Sequence, residues 1–375
     1  MELRDPCREW RRGGAARLVS DILVLIRAGV EWGETVQQAE SACNVGGPVA
    51  DGDHIQPVFI VGMNGSGTTM LADSLGFHPG LFMFPYEPRV LPYVIDKARE
   101  YGQLDDIEQR RRIAEELCNA KPIWHANGRR RLVLTDEELR APGLAATIDA
   151  VFMHFATARG KRRWGEKSPM NVLHMTRLAE VFPEARFIHL IRDGRDAAQS
   201  FERRFGFVPE ETMYRWREVV QAGQQQGRAL GAGRYMEIRY EDLTAEPAHW
   251  MRSICEFLDL PFDEAVLSSS MRMAGPQLKE QPQRRMTPNS ERWKEYFSME
   301  SRLRLERIAG AKLSELNYQV EVRGSDDPSL WRRRIWRVKG LVRRTYMHFR
   351  QWGWSGLRGY LKLAALSVKQ NSVRR

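Results

Sequence analysis

The sequence predicts a doubly wound α/β domain, a mostly parallel sheet with helices on both faces, and three observations predict it. Short apolar runs alternate with amphipathic segments of helical spacing, the order that parallel crossovers require. The first run, VFIVG at residues 58–62, opens into a glycine-rich loop and then a helix. A second, RFIHLI at residues 186–191, is apolar after its leading arginine except for one histidine. Such a strand suits the interior of a parallel sheet, where both faces are covered.

In chain order, residues 1–55 read as an amphipathic helix from Ala16 to Gln38 and a glycine-rich linker, NVGGPVADGDH. The main domain is expected over 56–322 and a basic tail over 323–375. After the first strand, the helix is expected to begin near Thr68. The stretch RRWGEKSPMNVLHMTRLAEVFPEARFIHLIRDGRDAAQSFERRF then reads as strand, loop, helix, strand, loop, helix. Ser168 is a candidate N-cap with Pro169 at the first helical position. Val172, Met175, Leu178 and Phe182 follow on one face. RYMEIRYEDL supplies a third strand of this kind, and AHWMRSICEFLDL a helix with Trp250, Ile254, Phe257 and Leu258 inward. Segments Leu91 to Leu144 and Phe205 to Leu230 read as helical insertions over an acceptor side.

Composition sets bounds. With 42% hydrophobic and 28% charged residues the chain is of ordinary globular type. Cys7, Cys43, Cys118 and Cys255 are too scattered for a disulfide framework or a zinc site, which favours a reducing compartment. The run ILVLI, between Asp21 and Arg27, is far shorter than a bilayer span. The expectation is therefore a cytoplasmic protein without signal peptide or anchor. Residues 328–375 hold 13 Lys or Arg and no Asp or Glu, so the net +10 becomes −3 (10 − 13) without them. In that tail Trp331, Ile335, Val338, Val342, Tyr346 and Phe349 recur at helical spacing, with Arg333, Arg334, Arg337 and Arg344 opposite. Two readings stand side by side: a membrane-peripheral element for an anionic surface, and a helix packed on the body.

The loop after the first strand poses the chemical question. Gly62 and Gly67 have the spacing of a nucleoside triphosphate loop, but Thr68 stands where its lysine belongs. Asn64, Gly65, Ser66, Gly67, Thr68 and Thr69 still offer amides, hydroxyls and a helix N-terminus to an anion. Farther along, Arg192 and Ser200 flank the start of another helix, and Arg204 shares a face with Ser200. Two anion-holding loops at neighbouring strand ends ask for a ligand with two separate anionic groups. A kinase or NTPase is disfavoured by Thr68, and a non-catalytic basic module using the tail remains as a third class.

Taken together, GxxxSGTT at Gly62 to Thr69, GEKSP at Gly165 to Pro169, FPEARFIHLIRDGRDAAQS at Phe182 to Ser200, IRYEDL at Ile238 to Leu243 and RWKEYF at Arg292 to Phe297 resemble the sulfotransferase family. The likeness is nearest its bacterial and protein-tyrosine branches and runs from Pro57 to Tyr318. It implies a P-loop-like fold and a donor, 3′-phosphoadenosine 5′-phosphosulfate, without a metal. The phosphosulfate would lie in the 64–69 loop and the 3′-phosphate at Arg192 and Ser200. Arg204 matches a further arginine of the protein-tyrosine branch and Tyr240 a tyrosine near the nucleotide, and Arg284 with Arg285 lies close to, though about two residues out of register with, a basic pair that other members bring to the 3′-phosphate. Family members carry a Lys or Arg where this chain has Gly65, which leaves Lys167 to steady the leaving phosphate. The catalytic histidine of the cytosolic branch is replaced by Pro169, whereas Glu87 matches the glutamate base of the protein-tyrosine branch.

The same segments have structural readings. Glu87 could simply pair with Arg89. His189 reads as an interior residue, His78 as turn chemistry and His174 as a helix residue. Trp164, Trp216 and Trp293 read as core rather than as adenine or acceptor contacts. Asp193 and Asp196 would form local ion pairs of small worth with Arg192 and Arg195. The expected reaction is in-line transfer to a hydroxyl on a lipid, sugar, phenol or peptide. No nucleic-acid partner is expected.

Overall fold

Val58, Phe59, Ile60 and Val61 are all fully buried, because the strand they form, β1 (Val58–Val61), is covered on both sides. The computed structural model describes residues 55–102, 104–269, 284–285, 289–347, 349–350 and 353, so the helix expected over Ala16 to Gln38 lies outside the described residues.

From β1 the chain enters α1 (Thr68–Leu75) at the expected residue, then β2 (Leu81–Met83), α2 (Leu91–Ala98), α3 (Ile107–Cys118), α4 (Lys121–Ala126) and α5 (Leu144–Thr157). Next come β3 (Arg163–Lys167), a 3-10 turn at Pro169–Leu173, α6 (Met175–Val181), β4 (Arg186–Ile191), α7 (Gly194–Phe205) and α8 (Pro209–Leu230). They are followed by β5 (Tyr235–Arg239), α9 (Tyr240–Ala245) and α10 (Pro247–Phe257). A two-stranded ribbon, β6 (Ser268–Ser269) and β7 (Arg284–Arg285), then precedes α11 (Arg292–Tyr296) and α12 (Met299–Glu315). A last helix, α13, spans residues 330–347.

The five-stranded sheet has the order β2-β3-β1-β4-β5 and every pairing is parallel. Side chains of a strand alternate between faces. Phe59 and Val61 accordingly join one core, with Phe152 of α5, Leu178 of α6 and Trp216 of α8, whereas Val58 and Ile60 join a second, with Leu71 of α1 and Ile254 of α10. Phe59 stacks on Phe187 with ring centroids 5.1 Å apart, and Phe152 on Trp164 at 4.2 Å. This is the doubly wound arrangement, and the continuous burial explains why these strands carry no polar alternation.

Several details differ from expectation. The helix expected from Pro169 onward is split: the 3-10 turn ends at His174, whose backbone (φ −132, ψ 16) is not helical, and α6 starts only at Met175. Asn171 in that turn donates to the buried Glu166 carboxylate at 2.7 Å, an anchor that a regular helix would move. Val172, Met175, Leu178 and Phe182 are nevertheless all buried as the spacing predicts. In α10 the inward residues are Met251, Ile254, Cys255 and Leu258, with Trp250 and Phe257 at the rim. The segment 205–230 is not an overlying insertion but mainly α8, whose Met213, Trp216, Val219 and Val220 belong to the core.

The tail helix is packed on the body, though not by its apolar stripe. Trp336, Leu341 and Thr345 face inward, Arg333 donates to the Tyr214 hydroxyl at 3.0 Å, and Arg343 pairs with Glu202 at 2.5 Å. Gly340 lies over Glu211, whose Oε2 is 3.5 Å from where a Cβ would be. The inner face is therefore held by buried Trp336 and by polar contacts with α7 and α8, while Trp331, Ile335, Val342 and Tyr346 of the stripe are turned outward and Val338 and Phe349 are half-buried.

Candidate active site

In an open parallel sheet, ligands gather beyond the carboxyl ends of the strands. Here the central strands β3, β1 and β4 end side by side: Ile60 pairs with Lys167 and Val61 with His189. Gly62 donates its N–H to the Pro169 carbonyl at 2.9 Å, fixing the GEKSP turn against the phosphate-type loop.

Within that loop Gly67 is left-handed (φ +90), and a Cβ there would lie 2.4 Å from the Tyr240 ring, so position 67 accepts only glycine without rearrangement. Gly67 is also the N-cap of α1 and provides no side-chain cap, which leaves the first-turn amides of the helix to an incoming acceptor. Ser66 is buried, and its Oγ has no hydrogen-bond partner among the described residues. An orphaned buried hydroxyl in a glycine loop fits an anion. Thr68 is buried, Asn64 half-buried, and Gly65 and Thr69 are exposed. The expected set of amides is smaller by one, because the Ser66 N–H donates to the Met63 carbonyl at 3.1 Å.

Arg192, just beyond β4, bridges the two loops. Its guanidinium donates to the Gly65 carbonyl at 3.2 Å and to the Asn289 carbonyl, and stands 4.7 Å above the Tyr240 ring. Trp216 in turn donates its indole N–H to the Arg192 carbonyl at 2.9 Å. Tyr240 thus fills the space between Gly67 and Arg192. Ser200 is half-buried on α7, while Arg204, a turn further on, is exposed with its guanidinium over Phe205. Only the backbone of Arg284 and Arg285 is described, so the expectation for their side chains lies outside the described residues.

Arg195 is more than a minor surface ion pair. It is buried between Asp193 and Glu306, each bridged at 2.7 Å, and lies 3.7 Å over the Trp293 ring. Asp196 is wholly buried, accepts the Glu291 and Trp293 amides, and is pushed above its ordinary range chiefly by burial. A cavity of about 280 Å³ opens beside these groups, lined also by Arg239, Glu241 and Tyr318.

Lys167 and Glu87 form the third part. The Lys167 ammonium contacts Glu87 Oε1 at 2.6 Å, and Arg89 holds the other carboxylate oxygen. The structural alternative of a simple Glu87–Arg89 pair is therefore only half of the arrangement. Partial burial alone pushes the Glu87 carboxyl up, but Lys167 and then Arg89 outweigh it and hold it below the usual range. Its neighbour Glu166 is fully buried, and burial pushes it up to about 7. Two adjacent carboxyls are thus driven in opposite directions.

The other candidates are structural. Buried His189 meets the Tyr235 hydroxyl at 2.7 Å and is pushed down to about 3 by burial. His78 accepts the Gly80 amide and reaches the Pro261 carbonyl. Trp164, Trp216 and Trp293 are all core. Sequence reading missed Trp216 and Asn289 as supports of Arg192, and Phe201, whose ring lies 3.1 Å from where a Gly65 Cβ would be. Only the spacing of Trp216 on its helix hinted at an inward position.

Residues 57–264, more than half of the chain, match the model of the sulfotransferase family. The chain belongs to the sulfotransferase family. It is 26% identical over 219 residues to the protein-tyrosine sulfotransferase of Drosophila melanogaster, covering 56% of this chain and 39% of that protein. To protein-tyrosine sulfotransferase 1 of Danio rerio it is 26% identical over 222 residues, covering 56% and 55%. The matched region thus spans about half or less of those relatives. A solved sulfotransferase domain from the Synechococcus PCC 7002 olefin synthase aligns with 73% of this chain and 100% of its own, at 25% identity and a TM-score of 0.47. In this sulfotransferase-family chain the matched region contains the glycine loop, Glu87, Lys167, Arg192 and Tyr240, whereas the ribbon with Arg284 and Arg285 falls outside it.

Proposed function

We propose that this sulfotransferase-family protein moves a sulfuryl group from 3′-phosphoadenosine 5′-phosphosulfate to an acceptor hydroxyl, with Glu87 as general base. The observation that carries this reading is the Lys167–Glu87 contact of 2.6 Å beside the glycine loop. It puts a carboxylate and a cation together at the edge where the donor's reactive end would lie.

The residues fit such a donor. The orphaned Ser66 hydroxyl, the first-turn amides of α1 and the Lys167 ammonium would hold the phosphosulfate end, and Arg192 and Ser200 the 3′-phosphate. The donor supplies an activated sulfuryl group on a phosphate leaving group. Glu87 takes the acceptor's proton as the new S–O bond forms. Lys167 steadies the departing phosphate oxygen as the old S–O bond breaks, releasing adenosine 3′,5′-bisphosphate. An ammonium has three N–H donors and a carboxylate about four acceptor sites, so the mutual contact leaves both groups able to act. The phosphosulfate end of the donor carries less charge to neutralise than a triphosphate, consistent with Thr68 in place of the NTPase lysine.

The acceptor is a hydroxyl compound, and a tyrosine peptide is the first to test because the curated relatives are protein-tyrosine sulfotransferases. Calorimetry with adenosine 3′,5′-bisphosphate tests the donor site. Arg192→Ala should weaken binding about tenfold to a hundredfold, the equivalent of one charged hydrogen bond. No binding by the unaltered protein overturns the reading. Incubation with labelled donor and separate tyrosine-peptide, phenol, sugar and lipid acceptors then identifies the acceptor class.

A further inference from the structure

The outward stripe of α13 has a definite chemistry. Trp331, Ile335, Val342 and Tyr346 are 72%, 47%, 51% and 60% exposed, and their spacing puts them along the outermost line of the helix. Exposed Arg332 and Lys339 flank the line on one side, with Arg343, paired to Glu202, farther round, and exposed Arg334 flanks it on the other. The acidic groups that meet the helix, Glu202 and Glu211, lie on its inner face. The result is a convex apolar ridge with an aromatic residue at each end and cations on both flanks.

We propose that this ridge docks the protein on an anionic lipid bilayer. Apolar side chains bury at the boundary of headgroups and acyl chains, aromatic rings favour that depth, and the flanking cations meet anionic headgroups. Charge decides among occupants. A second copy would bring two cationic flanks together. A nucleic acid would satisfy the cations but set the apolar line against phosphates. An anionic bilayer complements both features. The helix is also fixed to the catalytic body: Arg343 pairs with Glu202, the residue after Phe201, whose ring abuts Gly65 of the anion loop. Docking by this ridge brings the candidate site close to the membrane surface. The inference concerns binding alone and does not depend on the transferase reading.

The test is co-sedimentation of the full chain with vesicles of phosphatidylcholine alone or mixed with phosphatidylglycerol. The unaltered protein should pellet only with the mixed vesicles, and less as salt is raised. A Trp331→Ser, Ile335→Ser, Tyr346→Ser variant should partition at least about tenfold more weakly. An Arg332→Gln, Arg334→Gln, Lys339→Gln variant should lose on the order of a hundredfold. All six side chains are exposed, though Arg334 also lies over the Trp331 ring and Arg332 over that of Trp336, so unchanged thermal melting is the control for folding. Equal pelleting with both vesicle types, no pelleting at all, or full binding by either variant overturns the proposal. So does a dimer of the unaltered chain that the serine variant abolishes, which would make the ridge a contact between copies.

Discussion

Glu166→Gln offers the sharpest test of the electrostatics at the strand ends. Glu166 is fully buried on β3 and its carboxyl rises from the ordinary 4.5 to about 7 because burial disfavours its charge. Between these two values the folded chain keeps a proton that the unfolded chain has lost. Stability must therefore fall as pH rises through this window and level off above about 7. At 1.36 kcal/mol per unit of separation, the cost approaches about 3 kcal/mol at pH 8. Glutamine has nearly the same shape, keeps a carbonyl for Asn171 and never ionises. The variant should therefore match the unaltered protein at pH 5 within a small offset and exceed it by about 2 to 3 kcal/mol at pH 8. Urea unfolding at both pH values reads this directly, since the difference between the proteins removes every other titrating group. An offset that stays constant from pH 5 to pH 8 refutes the burial argument.

Other expected outcomes follow from the same geometry. Lys167→Met leaves Glu87 to burial and Arg89, so the acid limb of the rate profile should move to higher pH, and an unmoved limb removes Lys167 from this role. Glu87→Gln should lower kcat about a hundredfold or more with little change in KM, measured with labelled donor, because a general base acts in the transition state. Arg195→Met strands two buried carboxylates and should cost roughly 3 to 5 kcal/mol in urea unfolding, as for one partner removed from a buried ion pair. Gly67→Ala drives a methyl into the Tyr240 ring and should weaken binding of adenosine 3′,5′-bisphosphate in calorimetry while the fold persists.

What was legible in the sequence was what is written locally. Strands buried on both faces declare themselves as unbroken apolar runs, and the glycines that approach Tyr240 and Leu190 are fixed by backbone geometry, so the sheet and its first loop could be read from residue types. The pairing of Glu87 with Lys167 could be suspected only through family resemblance, because the two are far apart in sequence and meet only when β2 and β3 lie side by side. The supports of Arg192 were hidden for a similar reason: Asn289 contributes a backbone carbonyl, a group common to every residue type. The tail shows the opposite limit. Its periodicity correctly identified an apolar line, but periodicity does not say which way a helix rolls, and polar contacts with Glu202 and Tyr214 decided that.

The ring of Tyr240 has one more implication. By filling the gap between Gly67 and Arg192, it works like the spacer of a calliper whose jaws are set before anything is measured. On the donor placement proposed above, a nucleotide lacking its 3′-phosphate would touch one jaw only, and selectivity among adenosine compounds would come from a preset length rather than from recognition of the base.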